Sequence, residues 1–161
     1  MPAQFLINIT IAFLWTLLMD EEAFYLSTFI TGYLIGIGIV LIMQRFFGSQ
    51  FYLLRVYSAI KLLLIFISEL FQSSILILKQ ILSPKLNIKP GIITYEHNME
   101  GDYELTTLAL LLTLTPGSVV MEVSPDGKIF YIHAMDVEES REALLRSIKT
   151  FEKAIMEVTR N

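Results

Sequence analysis

The chain contains no cysteine, which removes disulfides, Cys-ligated zinc, iron–sulfur clusters and thiol catalysis from consideration. Charge is scarce as well: Asp, Glu, Lys and Arg make up 17% of the 161 residues, against about 25% in ordinary soluble domains. There are two histidines, His97 and His133, and neither has a second His or a carboxylate at the spacing of a metal-binding helix. Neither a Gly-rich phosphate loop nor a Gly-x-Ser-x-Gly nucleophile elbow occurs, and the acidic cluster Glu100, Asp102 and Glu104 lacks EF-hand spacing. No catalytic residue, cofactor or metal is therefore expected, and nothing in the residues supports an enzyme. His97, between Glu96 and Glu100, reads as exposed, and His133, at a strand end, as structural.

The charge that is present divides unevenly. Residues 1–90 carry six basic side chains (Arg45, Arg55, Lys61, Lys79, Lys85, Lys89) and four acidic ones (Asp20, Glu21, Glu22, Glu69), whereas residues 91–161 carry twelve acidic and six basic. The first part is almost uncharged for its length and the second is acidic and normally solvated. An acidic soluble part lacks the Lys/Arg cluster that phosphate binding needs, so no nucleic-acid partner is expected.

Residues 2–19 carry no charge, and about 18 helical residues at 1.5 Å each reach roughly 27 Å, close to the hydrocarbon thickness of a bilayer. The absence of Lys or Arg before this run argues against a cleaved secretory signal, so the segment is expected to be retained. After the break at Asp20-Glu21-Glu22, residues 23–44 are again uncharged and are closed by Arg45. A transmembrane helical hairpin over 1–47 follows. Within it Thr28, Gly32 and Gly36 recur every four residues and form a ridge of small side chains. Such a ridge suits a partner's helix or the chain's own first span.

Residues 51–83 read as a long amphipathic helix at the membrane interface. Arg55, Ser58, Lys61, Glu69, Gln72, Ser73, Lys79 and Gln80 fall within an arc of roughly 140° when each residue is advanced by about 100°. The apolar side chains fill the other side over about 48 Å. If this helix lies at the membrane surface, Lys and Arg face headgroups and Glu69 is solvated. If it crosses, as a third span, Glu69 is an intramembrane acid and a candidate for a proton path. The positive-inside rule favours two spans, which put Arg45, Arg55 and the later lysines on one side with a cytoplasmic C-terminal domain.

Residues 90–161 read as that domain. Ser83-Pro84 stops the long helix, and Pro90-Gly91 turns the chain into a strand at 92–95. A helix at 104–113, with Asp102 as its N-cap, is ended by Thr115-Pro116-Gly117. Strands at 119–123 and 129–133 flank the Asp126-Gly127 turn, and an amphipathic helix occupies 137–158. The order βαββα is that of a small α+β, ferredoxin-like unit lacking its last strand.

The string Leu112-Thr113-Leu114-Thr115-Pro116-Gly117, following a Leu-Ala helix, resembles the signature of the MnhE/MrpE family, small components of the Mrp-type (Mnh-type) multisubunit Na+/H+ antiporter. Trp15, Glu69-Leu70, Pro90-Gly91-Ile92, the Asp126-Gly127 turn followed by Tyr131 and His133, and Phe151-Glu152 fall in the expected order along nearly the whole chain. Ser73-Ser74 stands where the family commonly has Ser-Asn, and Ser118 where it has Thr. The resemblance implies one polypeptide of a hetero-oligomeric complex in a prokaryotic cell membrane that expels sodium in exchange for protons, with other membrane subunits and the lipid bilayer as partners. It further implies a small accessory subunit acting through assembly, while larger subunits carry the ion path. Thr113, Thr115, Pro116 and Gly117 are then the residues of most interest, as a shaped helix end. A membrane-tethered ligand-sensing or regulatory module is the alternative that the residues leave open.

Overall fold

In the computed structural model the described residues are 2–19, 24–47, 51–84 and 88–160, and they form two compact units, 1–56 and 57–161. The acidic break at 20–22 and Lys85 lie outside the described residues, as does the side chain of Arg45.

The first unit is built on two helices, α1 (Pro2–Leu18) and α2 (Leu26–Phe47). Their close approach is made by glycine. A Cβ on Gly32 would sit 2.7 Å from Trp15 Cβ, and one on Gly36 would sit 2.0 Å from Asn8 Oδ1. Any larger side chain there would push the helices apart. Phe13 and Phe29 meet edge-on with centroids 5.2 Å apart. Further along, Val40, Phe51 and Tyr52 are buried among Ile7, Ile11, Ile37 and Leu53.

The third helix, α3 (Tyr52–Ile81), carries the boundary between the units within its first two turns. By length and composition, Leu26–Met43 of α2 and all 30 residues of α3 are able to cross a membrane, whereas the apolar run of α1, Ala3–Leu18, is shorter. The long third helix, expected at the membrane interface, thus has the length and composition of a span, as the three-span alternative requires. Within α3, Lys61, Glu69 and Lys79 are spread thinly enough over an otherwise apolar sequence for the helix to qualify.

The second unit adds β1 (Gly91–Glu96), α4 (Gly101–Leu114), β2 (Ser118–Val123), β3 (Ile129–Ala134) and α5 (Val137–Thr159). The sheet is antiparallel in the order β1-β3-β2, with Ile92 and Val119 both opposite His133. One register shift, between Val120 and Glu122, leaves Met121 without a partner on β3. The core gathers Leu108 and Leu112 of α4, Phe130 and Ile132 of β3, and Ile148, Phe151 and Ile155 of α5. Leu62, Ile65 and Phe66 of α3 pack against it. Apolar residues three and four apart on both helices made that face predictable.

Two sequence readings are corrected locally. The N-cap of α4 is Glu100, and Asp102 lies inside the first turn. Glu104 reaches back instead, its Oε2 accepting from the Glu100 backbone N–H at 2.8 Å. His97 is buried, 7% exposed, with its ring against Phe130 at 4.6 Å.

Candidate functional site

Part of the polar stripe of α3 turns toward α5 and the residue that precedes it, while Gln72 and Lys79 of the same stripe are exposed. Lys61 Nζ pairs with Glu157 Oε2 at 2.6 Å, Ser147 Oγ donates to Glu69 Oε2 at 2.6 Å, and the Gln80 amide reaches Asp136 Oδ2 at 3.5 Å. The opposite side, including Leu63, Leu64, Phe71, Leu78 and Leu82, is exposed. An amphipathic pattern reports two unlike faces but not what each one meets.

Between α3 and the domain lies a cleft of about 180 Å³ whose lining includes Glu69, Ser73, Ile77, Thr115, Pro116, Gly117, Arg146 and Ser147. It brings together two sequence features that are far apart in the chain, the acid of the long helix and the Thr-Pro-Gly turn. The turn is built as a helix stop. The Thr115 hydroxyl donates to the Leu112 carbonyl at 2.8 Å and the Ser118 hydroxyl to the same oxygen at 3.2 Å, satisfying a carbonyl that the helix end leaves free. The Thr113 hydroxyl accepts from the Val120 N–H at 3.4 Å. Gly117 has φ of 98°, in the left-handed region, and a Cβ there would lie 3.1 Å from Ile77 Cδ1. Glycine is thus favoured by backbone conformation, and a Cβ would also crowd the tip of Ile77 on α3.

The other singled-out residues lie elsewhere. Gly91 opens β1, where a Cβ would come 2.7 Å from Val137 Cγ2, so it lets the start of α5 approach, while Pro90 beside it is exposed. Asp126 and Gly127 make the hairpin turn, Gly127 with φ of 69°. Ser124 Oγ donates to Asp126 Oδ1 at 2.5 Å and, with the Lys128 N–H, holds that carboxyl below its ordinary value. On α2, Thr28 stands on the same ridge as Gly32 and Gly36, the two that meet α1.

Sequence reasoning overlooked two clusters. In the first unit Tyr52 is the hub: its N–H donates to Gln4 Oε1 at 2.9 Å, Asn8 Nδ2 donates to its hydroxyl at 2.7 Å, and the Tyr33 hydroxyl lies 3.0 Å away. Gln4 and Asn8 are essentially fully buried. Their four-residue spacing on an apolar helix was the available signal, since polar groups in membrane helices face inward. In the second unit Glu104 is clasped by Arg160, with Nη2 to Oε2 at 2.7 Å, and by the Thr159 hydroxyl. The guanidinium holds Glu104 down to about 2, against the opposing effect of burial. Nearby, Glu152 Oε2 accepts from the Tyr95 hydroxyl at 2.8 Å and Oε1 from the Asn98 N–H at 3.0 Å. Burial, then Glu152, pushes the Tyr95 phenol up. Burial likewise pushes the His97 imidazole below its ordinary value, with Glu152 and the Gly127 backbone opposing. Among the described residues no group of three or more His, Asp or Glu is placed to hold a metal ion.

Apolar helices able to cross a bilayer, joined to a small acidic sheet-and-helix unit, define a membrane-anchored polypeptide with an attached α+β domain. The chain belongs to the family of Na+/H+ ion antiporter subunits, whose model matches residues 8–158. It is 46% identical over 160 residues, covering 99% of this chain and all of the relative, to the E-type subunit of the Na(+)/H(+) antiporter of Bacillus subtilis (strain 168). Among solved structures it is similar in fold to a chain of the membrane-bound sulfane sulfur reductase, an archaeal respiratory membrane complex, with a TM-score of 0.54 and 24% identity over 94% of this chain and 96% of that one. A chain of the Mrp complex from Dietzia sp. DQ12-45-1b gives a TM-score of 0.45 at 22% identity, covering 62% of this chain and 93% of that one. Membership makes this chain a membrane-located subunit of a Na+/H+ antiporter complex, with other membrane subunits as partners, and a component of a transporter rather than an enzyme of the ordinary kind.

Proposed function

We propose that the chain is an accessory subunit that contributes to sodium efflux and pH homeostasis by holding the antiporter together rather than by coordinating ions. The observation that carries this reading is the two-sidedness of α3. Lys61 and Glu69 of its polar stripe are engaged by its own domain, through Lys61–Glu157 and Glu69–Ser147, while its apolar side stays uncovered by described residues. An apolar face of that length is what neighbouring membrane helices and lipid would cover.

The same contacts favour a lateral α3. A helix docked along residues 61–80 on a domain bearing exposed Arg141, Glu142, Lys149 and Lys153 belongs at the membrane surface, because those charges are costly in hydrocarbon. On this reading 1–47 is the multi-pass anchor, 51–83 the interface helix and 90–161 a cytoplasmic unit. The split βαβ arrangement, with β3 between β1 and β2, is ferredoxin-like without its fourth strand. Thr113, Thr115, Pro116 and Gly117 then serve as a shaped helix end that seats α3.

Deletion of the chain should abolish or strongly reduce antiport in membrane vesicles, and Phe71→Asp on the open side of α3 should release the chain from the complex. Full antiport after deletion would refute the assembly role. The cleft beside Glu69 motivates a second reading, a ligand-sensing module tethered to the membrane. Purification as a stable monomer with a bound small molecule, and without other membrane proteins, would favour it.

A further inference from the structure

We propose that the groove between α4 and β2 is a second docking surface, which takes an apolar segment carrying a lysine or arginine from another subunit of the antiporter. This rests on the family reading and deepens it by naming a surface away from the open face of α3. The groove measures about 420 Å³ and is lined by Leu105, Ala109, Leu110, Val120, Met121 and Glu122 among others.

Three independent features converge on it. First, α4 is apolar on both sides. Leu108 and Leu112 point into the core, yet Tyr103, Leu110 and Leu114, seven and four residues apart, are 90%, 56% and 59% exposed; Leu110 lines the groove, and the other two share its side of the helix without lining it. A helix apolar all round is one that is covered all round, and no described residue covers this side. Second, the register shift in β2 frees Met121 from the ladder and leaves it 60% exposed beside the groove. Bulges re-aim side chains at functional edges, and methionine adapts its shape to a binding partner.

Third, charge selects the occupant. Glu122 is the one charged residue in the lining, and Asp102 is exposed at the start of α4, one turn from Leu105 and Thr106, while Glu100 is paired with Arg160. An acidic rim repels the anionic cytoplasmic face of a membrane, which attracts Lys and Arg instead, so lipid is a poor occupant. A partner segment with a basic residue among apolar ones complements both the groove and its rim.

The absence of native cysteine makes the test clean. Leu110→Cys and Met121→Cys, each the single thiol in the chain, are expressed in membranes containing the whole complex and treated with a thiol-anchored photocrosslinker. Both should give an adduct with a different antiporter subunit, whereas Thr94→Cys on β1 should not. Alkylation of the two groove thiols should be several-fold slower in the complex than after detergent dissociates it. Met121→Lys combined with Leu110→Lys should reduce co-purification of partner subunits while the chain itself accumulates normally. Full-rate alkylation in the intact complex, an adduct between two copies of this chain, or an adduct with lipid alone would each overturn the proposal. The complex is intact in all three cases, so this failure is distinguishable from failure of the assembly role, which the deletion decides.

Discussion

Gly36 and Gly38 lie two residues apart on α2 and should answer differently to the same change. A Cβ on Gly36 would stand 2.0 Å from Asn8 Oδ1, whereas nothing lies within 4 Å of one on Gly38. Gly36→Ala should therefore destabilise the chain by about 1–3 kcal/mol through overpacking. Gly38→Ala should be neutral or stabilising by up to about 1 kcal/mol from helix propensity. Thermal unfolding of the purified protein in detergent separates the two. The four-residue spacing of Thr28, Gly32 and Gly36 was readable from sequence, but not the helix it meets, because small residues admit any neighbour equally well. His97 was misread for a related reason. Its immediate neighbours are acidic and suggest exposure, while Phe130, which packs on its ring, and Glu152, whose charge acts on it, are distant in sequence. Its lowered folded-state value means that its contribution to stability is fully present above the unfolded value, 6.5, and is lost as pH falls. Lowering the pH from neutral towards 5 should thus lower the unfolding temperature. His97→Phe should flatten that slope. An unchanged slope would show that charging this imidazole is not what destabilises the fold.

At the scale of the element, α3 joins the pattern the residues display to the role they serve. Its stripe was readable, since the eight polar positions share one arc. What the stripe faces was not, because headgroups, water and a protein surface all select polar side chains. The Ser147–Glu69 hydrogen bond gives that carboxyl a partner within the chain. A carboxylate held by a hydroxyl at the edge of a small cleft has a structural use that an amide oxygen can imitate. Glu69→Gln should accordingly leave antiport in vesicles close to that of the unaltered complex across the pH range, with assembly of the complex unchanged. Lost antiport in a fully assembled complex would place the carboxylate in an ion path instead. The ends of α4 show the opposite case. Its stop at Thr115-Pro116-Gly117 was fully legible, because proline and a positive-φ glycine act locally. Its start was not, because Glu104 caps backward while being clasped by Arg160 from the far end of the chain.

For the whole molecule, the uneven charge along the sequence predicts sidedness. The acidic residues of 91–161 do not oppose cytoplasmic placement, because orientation follows Lys and Arg near the spans rather than net charge. Of those basic residues, Arg45 lies in the last turn of the second apolar helix, and Arg55 and the later lysines follow it. With two spans they share a side with the start of the chain and with everything after Pro90. The turn at Asp126-Gly127 offers a reporter, since Lys128 beside it is exposed and its backbone, not its side chain, makes the turn's hydrogen bonds. Lys128→Cys, the single thiol in the chain, should react with a membrane-impermeant maleimide in inverted vesicles and stay unlabelled in intact cells. Labelling from outside intact cells would place the α+β unit across the membrane. α3 would then be a third span, and the hydrogen bond between Glu69 and Ser147 would have to be made within or beyond the bilayer rather than at its cytoplasmic surface.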